Sequence, residues 1–282
     1  MNYKHLFPTY RGRYLFVRRL LTSLHAQALA DRMLNLGAGE GDLDPLLTSY
    51  ARELYSCDLN AADVEHARRT NAHLGNVQYQ RADAEYLAYA SSMFDTVCCI
   101  EVIEHVGDPQ ALLSELHRVL KPGGYAIVTC PSDDFPLAYD PVNRIVRRWG
   151  QPWPIGAYAY GHTWLVKHED ALHWFAAHGL RVLHSERLAG PAAALVECYV
   201  PGLLQKLCKA NAANDASSRG RGVVIKPRRG EPPLMHVVDA FVALDAKWTR
   251  HRSVGLGYLL QKALMPSKCA PRSSSCLHVT TP

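Results

Sequence analysis

Short apolar runs alternate with amphipathic stretches along much of the chain. The apolar runs suit buried strands, and the amphipathic stretches repeat their apolar residues three or four positions apart, as one face of a helix does. The predicted strands are Met33–Leu36, Glu53–Cys57, Val77–Arg81, Phe94–Ile100, Tyr125–Thr129, Leu180–Glu186 and Ser253–Leu260. The predicted helices are Tyr10–Leu29, Asp42–Ala51, Ala61–Ala72, one that begins at Pro109, Val142–Trp149, Glu169–His178 and Met235–Arg250. This alternation predicts an α/β fold, a doubly wound and mostly parallel Rossmann-like sheet with helices on both faces.

Changes of composition along the chain predict its organisation. Residues 1–30 form an N-terminal helical cap, which covers the sheet or the mouth of a site, and residues 31–265 form the main domain. Within that domain, residues 130–167 are rich in proline and aromatic side chains, which is typical of a lid loop. Residues 211–233 are polar and basic and are interpreted as a mobile insertion, and residues 266–282 as a disordered tail.

Composition places the chain among ordinary globular proteins. It has 282 residues, of which 48% are hydrophobic and 20% charged, and a formal net charge of only +5. Four of the eight cysteines fall in or at the ends of predicted buried strands and are interpreted as small core residues. The cysteines form no C-x-x-C pair and no disulfide framework, which indicates a reducing compartment. No apolar run reaches the length of a membrane span, and arginines interrupt any leader-like segment near the start. The resulting expectation is a cytoplasmic location.

A glycine-rich turn follows the first predicted strand and is the chain's main candidate for a ligand site. Its residues are Gly37, Ala38, Gly39, Glu40 and Gly41. Glycines there allow a sharp bend and close approach of a ligand to the backbone. A dinucleotide fingerprint would have its third glycine where Asp42 stands, and the Lys-Ser/Thr pair of a P-loop is missing. The spacing therefore favours a nucleoside ligand without a phosphate.

Two acidic residues follow the next strands. Asp58 lies at the end of the second strand, 19 residues beyond Gly39, where a doubly wound nucleotide fold places a carboxylate for ribose hydroxyls. Its alternative role is to cap the next helix, although Asn60 can do this instead. Asp83 follows the third strand and can accept a hydrogen bond from an adenine amino group, or can simply stabilise a turn.

Taken in order, these segments resemble the class I S-adenosylmethionine-dependent methyltransferases, of the type sometimes called type 11. The matching segments are Leu34–Gly41, Cys57–Leu59, Ala82–Ala84, Phe94–His105 and Leu120–Gly124. The resemblance implies a seven-stranded sheet whose last strand is antiparallel, and S-adenosyl-L-methionine as the cofactor. It assigns the methionine part of the cofactor to the glycine turn.

The resemblance also assigns roles to the residues at the strand ends. It places the ribose at Asp58 and Leu59, the adenine at Asp83 and Ala84, and Glu101 near the cofactor. One position departs from the family, which usually has an acid where this chain has Asn35. Losing that charge predicts weaker cofactor binding, and it keeps open a non-catalytic homologue that acts as an interaction subunit.

Methyl transfer from a sulfonium is an in-line displacement, so the protein mainly has to bring the nucleophile and the methyl group together. An oxygen nucleophile also benefits from a general base. His105, just past the fourth strand, and His162, at the end of the lid, are the predicted catalytic residues. The lid's aromatic residues favour a small-molecule acceptor that is apolar, aromatic or sugar-like, and the leading hypothesis is its O-methylation.

A divalent metal ion is a further hypothesis. Its predicted ligands are Glu101, Glu104, His105 and His162. The metal ion would polarise a bound hydroxyl of the acceptor and lower its pKa. The E-x-x-E-H run resembles that of small-RNA 2′-O-methyltransferases and of quinone-biosynthesis O-methyltransferases, although the same run is also plain structure in many relatives. RNA 2′-O-methylation is thus the alternative activity, but the modest charge and the lack of an appended RNA-binding module argue against a nucleic-acid partner.

Two apolar segments have basic neighbours, residues 192–208 and 234–265. They allow peripheral contact with a membrane beside a lipid-linked acceptor, and packing of helices on the sheet explains them equally well. No pattern indicates an oligomeric state.

Overall fold

The computed structural model describes residues 3–133, 145–146, 149–150, 165–190, 192–193, 234–248 and 253–264. Several predictions lie outside these residues: His162, most of the helix at 142–149 and of the lid, the insertion at 211–233, and the tail.

Seven strands form one sheet, as predicted. They are β1 Ala30–Leu36, β2 Ala51–Asp58, β3 Val77–Arg81, β4 Phe94–Ile100, β5 Leu120–Pro131, β6 Leu180–Ala189 and β7 Gly255–Lys262. The order in the sheet is β3-β2-β1-β4-β5-β7-β6. The first five strands pair in parallel, whereas β7 runs antiparallel to β5 and β6, so the implied antiparallel last strand is confirmed. The strand order reverses between β1 and β4, which opens a crevice at their carboxyl ends.

Six α-helices lie within the described residues. They are α1 Pro8–Leu24, α2 Asp44–Leu47, α3 Ala61–Thr70, α4 Pro109–Val119, α5 His168–Ala177 and α6 Leu234–Trp248. Short 3-10 helices cover Tyr3–Leu6 and Thr48–Tyr50. The predicted start of α4 is confirmed: Asp108 Oδ1 accepts a hydrogen bond of 2.8 Å from the Gln110 amide, and Pro109 follows the cap. None of the helices in these ranges is long and apolar enough to cross a membrane.

Alternate residues of the strands pack on opposite faces of the sheet, because successive side chains of a strand point to opposite sides. Leu34 and Leu36 of β1 pack in the cluster that contains the leucines of α4 and Phe175 of α5. Met33 packs in the other cluster, with the apolar face of α1. The N-terminal helix thus covers one face of the sheet. Arg11 of α1 is fully buried and holds α6 through two hydrogen bonds to Asp239, of 2.7 and 3.0 Å.

Three predicted boundaries are wrong in instructive ways. The helix predicted over Asp42–Ala51 has only four α-helical residues, because β2 begins at Ala51 and Asp44 turns inward beneath the glycine turn. The first helix ends at Leu24 rather than Leu29, and β1 begins at Ala30. Strand β5 begins at Leu120, so the Lys121–Gly124 segment belongs to the strand, where the register shifts against β4.

Candidate cofactor site

The glycine turn leaves β1 at the centre of the sheet. Gly37, Gly39 and Gly41 have φ angles of 70°, 53° and 75°, in the left-handed region that glycine tolerates best. The Ala38 amide donates a hydrogen bond of 2.9 Å to the Cys57 carbonyl, and the Gly41 amide donates one of 3.0 Å to the Ala38 carbonyl. The turn is therefore anchored to β2 and closed on itself.

The three glycines differ in what lies beside them. A Cβ at Gly37 would come within 2.3 Å of Val102, and a Cβ at Gly41 within 2.6 Å of the Asp44 carboxylate. A Cβ at Gly39 would meet no atom of the described residues within 4 Å. Packing from behind thus requires two of the glycines, whereas no described residue covers Gly39, so that a ligand can approach the backbone there.

Asp58, at the end of β2, is tied to the same turn. Its Oδ2 accepts a hydrogen bond of 2.8 Å from the Gly39 amide, and its Oδ1 one of 2.9 Å from the Asn60 amide. Asn60 caps α3, as the sequence allowed, by accepting a bond of 3.0 Å from the Ala62 amide. A carboxylate has about four acceptor positions, so Asp58 retains capacity for ribose hydroxyls. The neighbouring Leu59 side chain is 58% exposed, which is unusual for leucine and suits an apolar ligand surface.

Asp83 and Ala84 lie just beyond the end of β3, at the same edge of the sheet. Asp83 Oδ1 accepts a hydrogen bond of 2.9 Å from the Glu85 amide, so it does stabilise a turn. Asp83 is exposed and Ala84 half-buried. Their assignment to adenine stays a prediction.

Glu101 follows β4 in an unusual backbone conformation, with φ of 56°. Its Oε1 accepts a bond of 2.9 Å from the Thr129 hydroxyl, and its Oε2 one of 3.0 Å from Arg13 of α1. A non-glycine residue in this region costs about 1–3 kcal/mol and persists where its surroundings enforce it, often at a functional site. The two hydrogen bonds hold the carboxylate at the crevice and help to offset the strain.

Glu104 and His105 lie in the loop between β4 and α4. Glu104 is fully buried, and neither carboxylate oxygen has a hydrogen-bond partner among the described residues. Burial and the nearby Glu101 carboxylate raise the pKa of Glu104 well above its ordinary value. Its Oε1 lies 3.9 Å from Nε2 of His105, whose side chain is 41% exposed. The predicted base is thus accessible, and the acid beside it is not.

The metal hypothesis gains no support from the residues in the described ranges. No group of three or more His, Cys, Asp or Glu side chains placed to hold a metal ion occurs there. Glu101 instead binds Arg13 and Thr129. The four-ligand set also needs His162, which lies outside the described residues.

The N-terminal segment contributes residues that the sequence analysis missed. Lys4 forms ion pairs with Glu40, at 3.2 Å, and with Asp42. The Tyr10 hydroxyl is buried without a hydrogen-bond partner among the described residues, and burial together with nearby Asp42 raises the pKa of this phenol. The basic residues of this segment were the only signal in the sequence, and nothing in their pattern names their distant acidic partners.

Two further acids also escaped prediction. Glu85 Oε1 accepts hydrogen bonds from the Gly107 and Asp108 amides, of 2.6 and 3.1 Å, and so fixes the loop that carries His105. Asp44 is fully buried beneath the glycine turn and accepts bonds from Asn35 and Ser56. An acid within an apolar helical pattern is the signal that could have identified Asp44.

Together these features fit a nucleoside cofactor. Gly39 offers an open backbone surface, Asp58 offers acceptors beside it, and Leu59 offers exposed apolar area. The site lies at the carboxyl ends of β1 and β2, next to the point where the strand order reverses. Fold and site together are typical of one class of protein, the doubly wound α/β domains, in which a nucleoside site lies at this edge of the sheet.

Similarity in sequence is more specific about the kind of protein than the fold is. Residues 34–128 match the family model described as a methyltransferase domain. A ubiquinone biosynthesis O-methyltransferase of Ruegeria pomeroyi is 36% identical over 97 residues, which cover 34% of this chain and 39% of that protein. A ubiquinone/menaquinone biosynthesis C-methyltransferase, UbiE, of Coxiella burnetii is 35% identical over 104 residues, 34% of this chain and 41% of that protein. The chain thus spans less than half the length of these relatives.

Solved structures share the fold over a longer range. The [4+2]-cyclase SpnF superposes with a TM-score of 0.56 at 19% identity, over 89% of this chain and 81% of that one. A putative sarcosine dimethylglycine methyltransferase of Galdieria sulphuraria has a TM-score of 0.55 at 15% identity, over 88% and 86%. Over residues 34–128 the chain is thus similar to methyltransferase domains, which agrees with the resemblance to class I S-adenosylmethionine-dependent methyltransferases. A cyclase among the structures of this fold shows that fold alone does not fix the reaction.

Proposed function

We propose that this protein binds S-adenosyl-L-methionine and transfers its methyl group to an oxygen of a small-molecule acceptor. The observation that carries the proposal is the glycine turn, whose open Gly39 is bonded to Asp58 within the segment that matches a methyltransferase domain. The cofactor, when bound, supplies an activated methyl group. The glycine turn would hold its methionine part, and Asp58 its ribose.

The names of the relatives support a phenolic or quinol-like acceptor. One relative is named for O-methylation and another for C-methylation in quinone biosynthesis, at nearly equal identity to this chain. The matched segment is shared by both, so it does not distinguish the two kinds of transfer. His105 does favour oxygen, because a hydroxyl nucleophile has to lose its proton.

His105 is the proposed general base. Its accessible imidazole lies just past β4, at the edge of the sheet where substrates bind in such folds. Glu85 fixes the His105 loop, and Arg13 and Thr129 fix Glu101 beside it. The chain's own residues thus orient the acceptor and accept its proton. His162 is the second candidate for the same role.

Methyl transfer from labelled S-adenosylmethionine tests the proposal. The acceptors are a catechol acid, a substituted hydroquinone and a small RNA, each with Mg²⁺ and with EDTA. His105→Ala and His162→Ala are compared with His73→Ala, whose exposed side chain precedes β3 at the opposite edge of the sheet. We expect label on a phenolic oxygen, and a loss of about 100-fold in kcat for one of the first two variants.

Each other outcome has a distinct meaning. Label on a ring carbon would replace O-methylation with C-methylation, and label on RNA would favour the alternative activity. Loss of turnover in EDTA would revive the metal hypothesis. Tight cofactor binding without transfer to any acceptor would favour a non-catalytic homologue.

A further inference from the structure

Asp44 is a buried carboxylate that the proposed mechanism does not use. It is fully buried and accepts a hydrogen bond of 2.8 Å from the side-chain amide of Asn35 in β1. The Ser56 hydroxyl of β2 lies 3.0 and 3.1 Å from its two oxygens. The group therefore joins the two strands whose carboxyl ends form the cofactor site.

The same carboxylate lies directly behind the glycine turn. Its Oδ2 is 2.6 Å from the position that a Cβ of Gly41 would occupy. Asn71 of the α3 C-terminus supports the turn from beside it, donating a bond of 3.0 Å to the Gly41 carbonyl. Asp44 is thus in place to fix the turn and to act electrostatically on a ligand at its open side.

The negative charge of Asp44 lacks a countercharge among the described residues. Its hydrogen-bond donors, Asn35 and Ser56, are neutral, and so is the nearby Tyr79 phenol, whereas the nearby Asp42 is itself acidic. No Lys, Arg or His forms an ion pair with Asp44 among the residues that the structure describes. A buried charge costs several kcal/mol unless a countercharge or strong hydrogen bonding offsets that cost. Burial raises the pKa of Asp44 to about 6, which still leaves it ionised at pH 7.5.

A cationic ligand would supply the missing countercharge. S-adenosylmethionine carries an ammonium and a sulfonium against one carboxylate, whereas its product S-adenosylhomocysteine has lost the sulfonium. We propose that Asp44 is a positioning residue that supplies the negative charge behind the glycine turn, and that this charge can be moved between positions 44 and 35 but not removed. This inference rests on the proposed cofactor.

Conservative substitutions separate charge from shape. Asp44→Asn keeps the shape and one acceptor oxygen for Asn35 and Ser56, removes the charge, and replaces the second oxygen by an amide NH2 that can donate to the Ser56 hydroxyl. The exchange variant Asn35→Asp with Asp44→Asn restores one acid and one amide across the same 2.8 Å contact. Asp31→Asn is the control, because Asp31 is exposed on β1 and pairs with Arg52 at 3.3 Å.

Calorimetric titration at pH 7.5 with each of the two nucleosides, on the full chain, gives the dissociation constants. Thermal unfolding of each variant verifies that it is folded. We expect Asp44→Asn to bind S-adenosylmethionine about tenfold more weakly, or 1.4 kcal/mol, and to change S-adenosylhomocysteine binding less. The exchange variant should return to within about threefold of the unaltered chain.

The outcomes distinguish this proposal from the one on which it rests. If the unaltered chain binds S-adenosylmethionine and Asp44→Asn binds it equally well, the charge is not needed and only this proposal is overturned. If the exchange variant is no better than Asp44→Asn, the claim that the charge can be moved is overturned. If the folded, unaltered chain binds neither nucleoside, the proposed function fails and takes this inference with it.

Discussion

Replacing Asp44 by asparagine should change how the stability of the protein depends on pH. The pKa of Asp44 is raised from its ordinary value of 3.8 to about 6 by burial, which outweighs the hydrogen bonds that favour the charged form. Between these two values the folded protein holds a proton that the unfolded chain has lost. The free energy of unfolding therefore falls as pH rises, by about 1.36 kcal/mol for each unit, and the fall ends above about pH 6.

Between pH 4.5 and pH 7.5 this contribution amounts to about 2 kcal/mol. Asp44→Asn lacks the titrating group, so its stability relative to the unaltered chain should rise by about that amount over this interval. All other groups titrate in both proteins and cancel in the difference. Urea denaturation at half-unit steps of pH measures it.

Asp31→Asn is the matched control, because it removes a carboxylate that is exposed on the surface. A difference for Asp44→Asn that is flat with pH would refute the reasoning, because it would mean that Asp44 has the same pKa in the folded and unfolded chain. A difference that falls with pH would refute its sign.

Three further predictions concern the same crevice. Gly37→Ala should lower the free energy of unfolding by about 3 kcal/mol in urea denaturation, because its Cβ would lie 2.3 Å from Val102. Gly39→Ala should lower it by only about 1 kcal/mol and should mainly weaken cofactor binding. Equal losses of stability in the two variants would contradict the different roles assigned to these glycines. The buried Tyr10 hydroxyl has no hydrogen-bond partner among the described residues, so we expect it to bond the cofactor. Tyr10→Phe should therefore leave stability unchanged but weaken S-adenosylmethionine binding about threefold to tenfold in calorimetry. Unaltered affinity would exclude this contact. Glu104→Gln should gain stability relative to the unaltered chain as pH rises above the ordinary pKa of glutamate, because the folded protein holds the Glu104 proton more tightly than the unfolded chain does. A gain confined to acid pH would contradict the raised pKa of Glu104.

The strands that position the site were predictable because local pattern decides them. Strands β3 and β4 have the predicted bounds, Val77–Arg81 and Phe94–Ile100, since each is a short apolar or alternating run between turn residues. The cap at Asp108 and the Gly179 that ends α5, with φ of 67°, also depend on local chemistry. The glycine turn and Asp58 follow from the strand ends, so their association at one edge was predictable too.

The contacts that complete the site depend on distant residues and were not predictable. Arg13 contacts Glu101, 88 residues away in the sequence, and Lys4 contacts Glu40, 36 residues away. The buried position of Asp44 was not predicted, because the leucines around it have a spacing typical of a longer helix. The helix has only four residues, because β2 begins at Ala51. Single-sequence periodicity records neither which charged pairs meet nor where a following strand limits a helix.

Binding of S-adenosylmethionine to the purified full chain, by calorimetry at pH 7.5, tests the central claim most directly. We expect one site per chain, with affinity at least about tenfold weaker in Asp58→Ala and unchanged in Asp31→Ala. Asp58→Ala removes the acceptor for the Gly39 amide as well as the predicted ribose contact, so its folded state is verified by thermal unfolding. A folded chain that binds no S-adenosylmethionine, or a folded Asp58→Ala that binds it as tightly as the unaltered chain, would contradict the account.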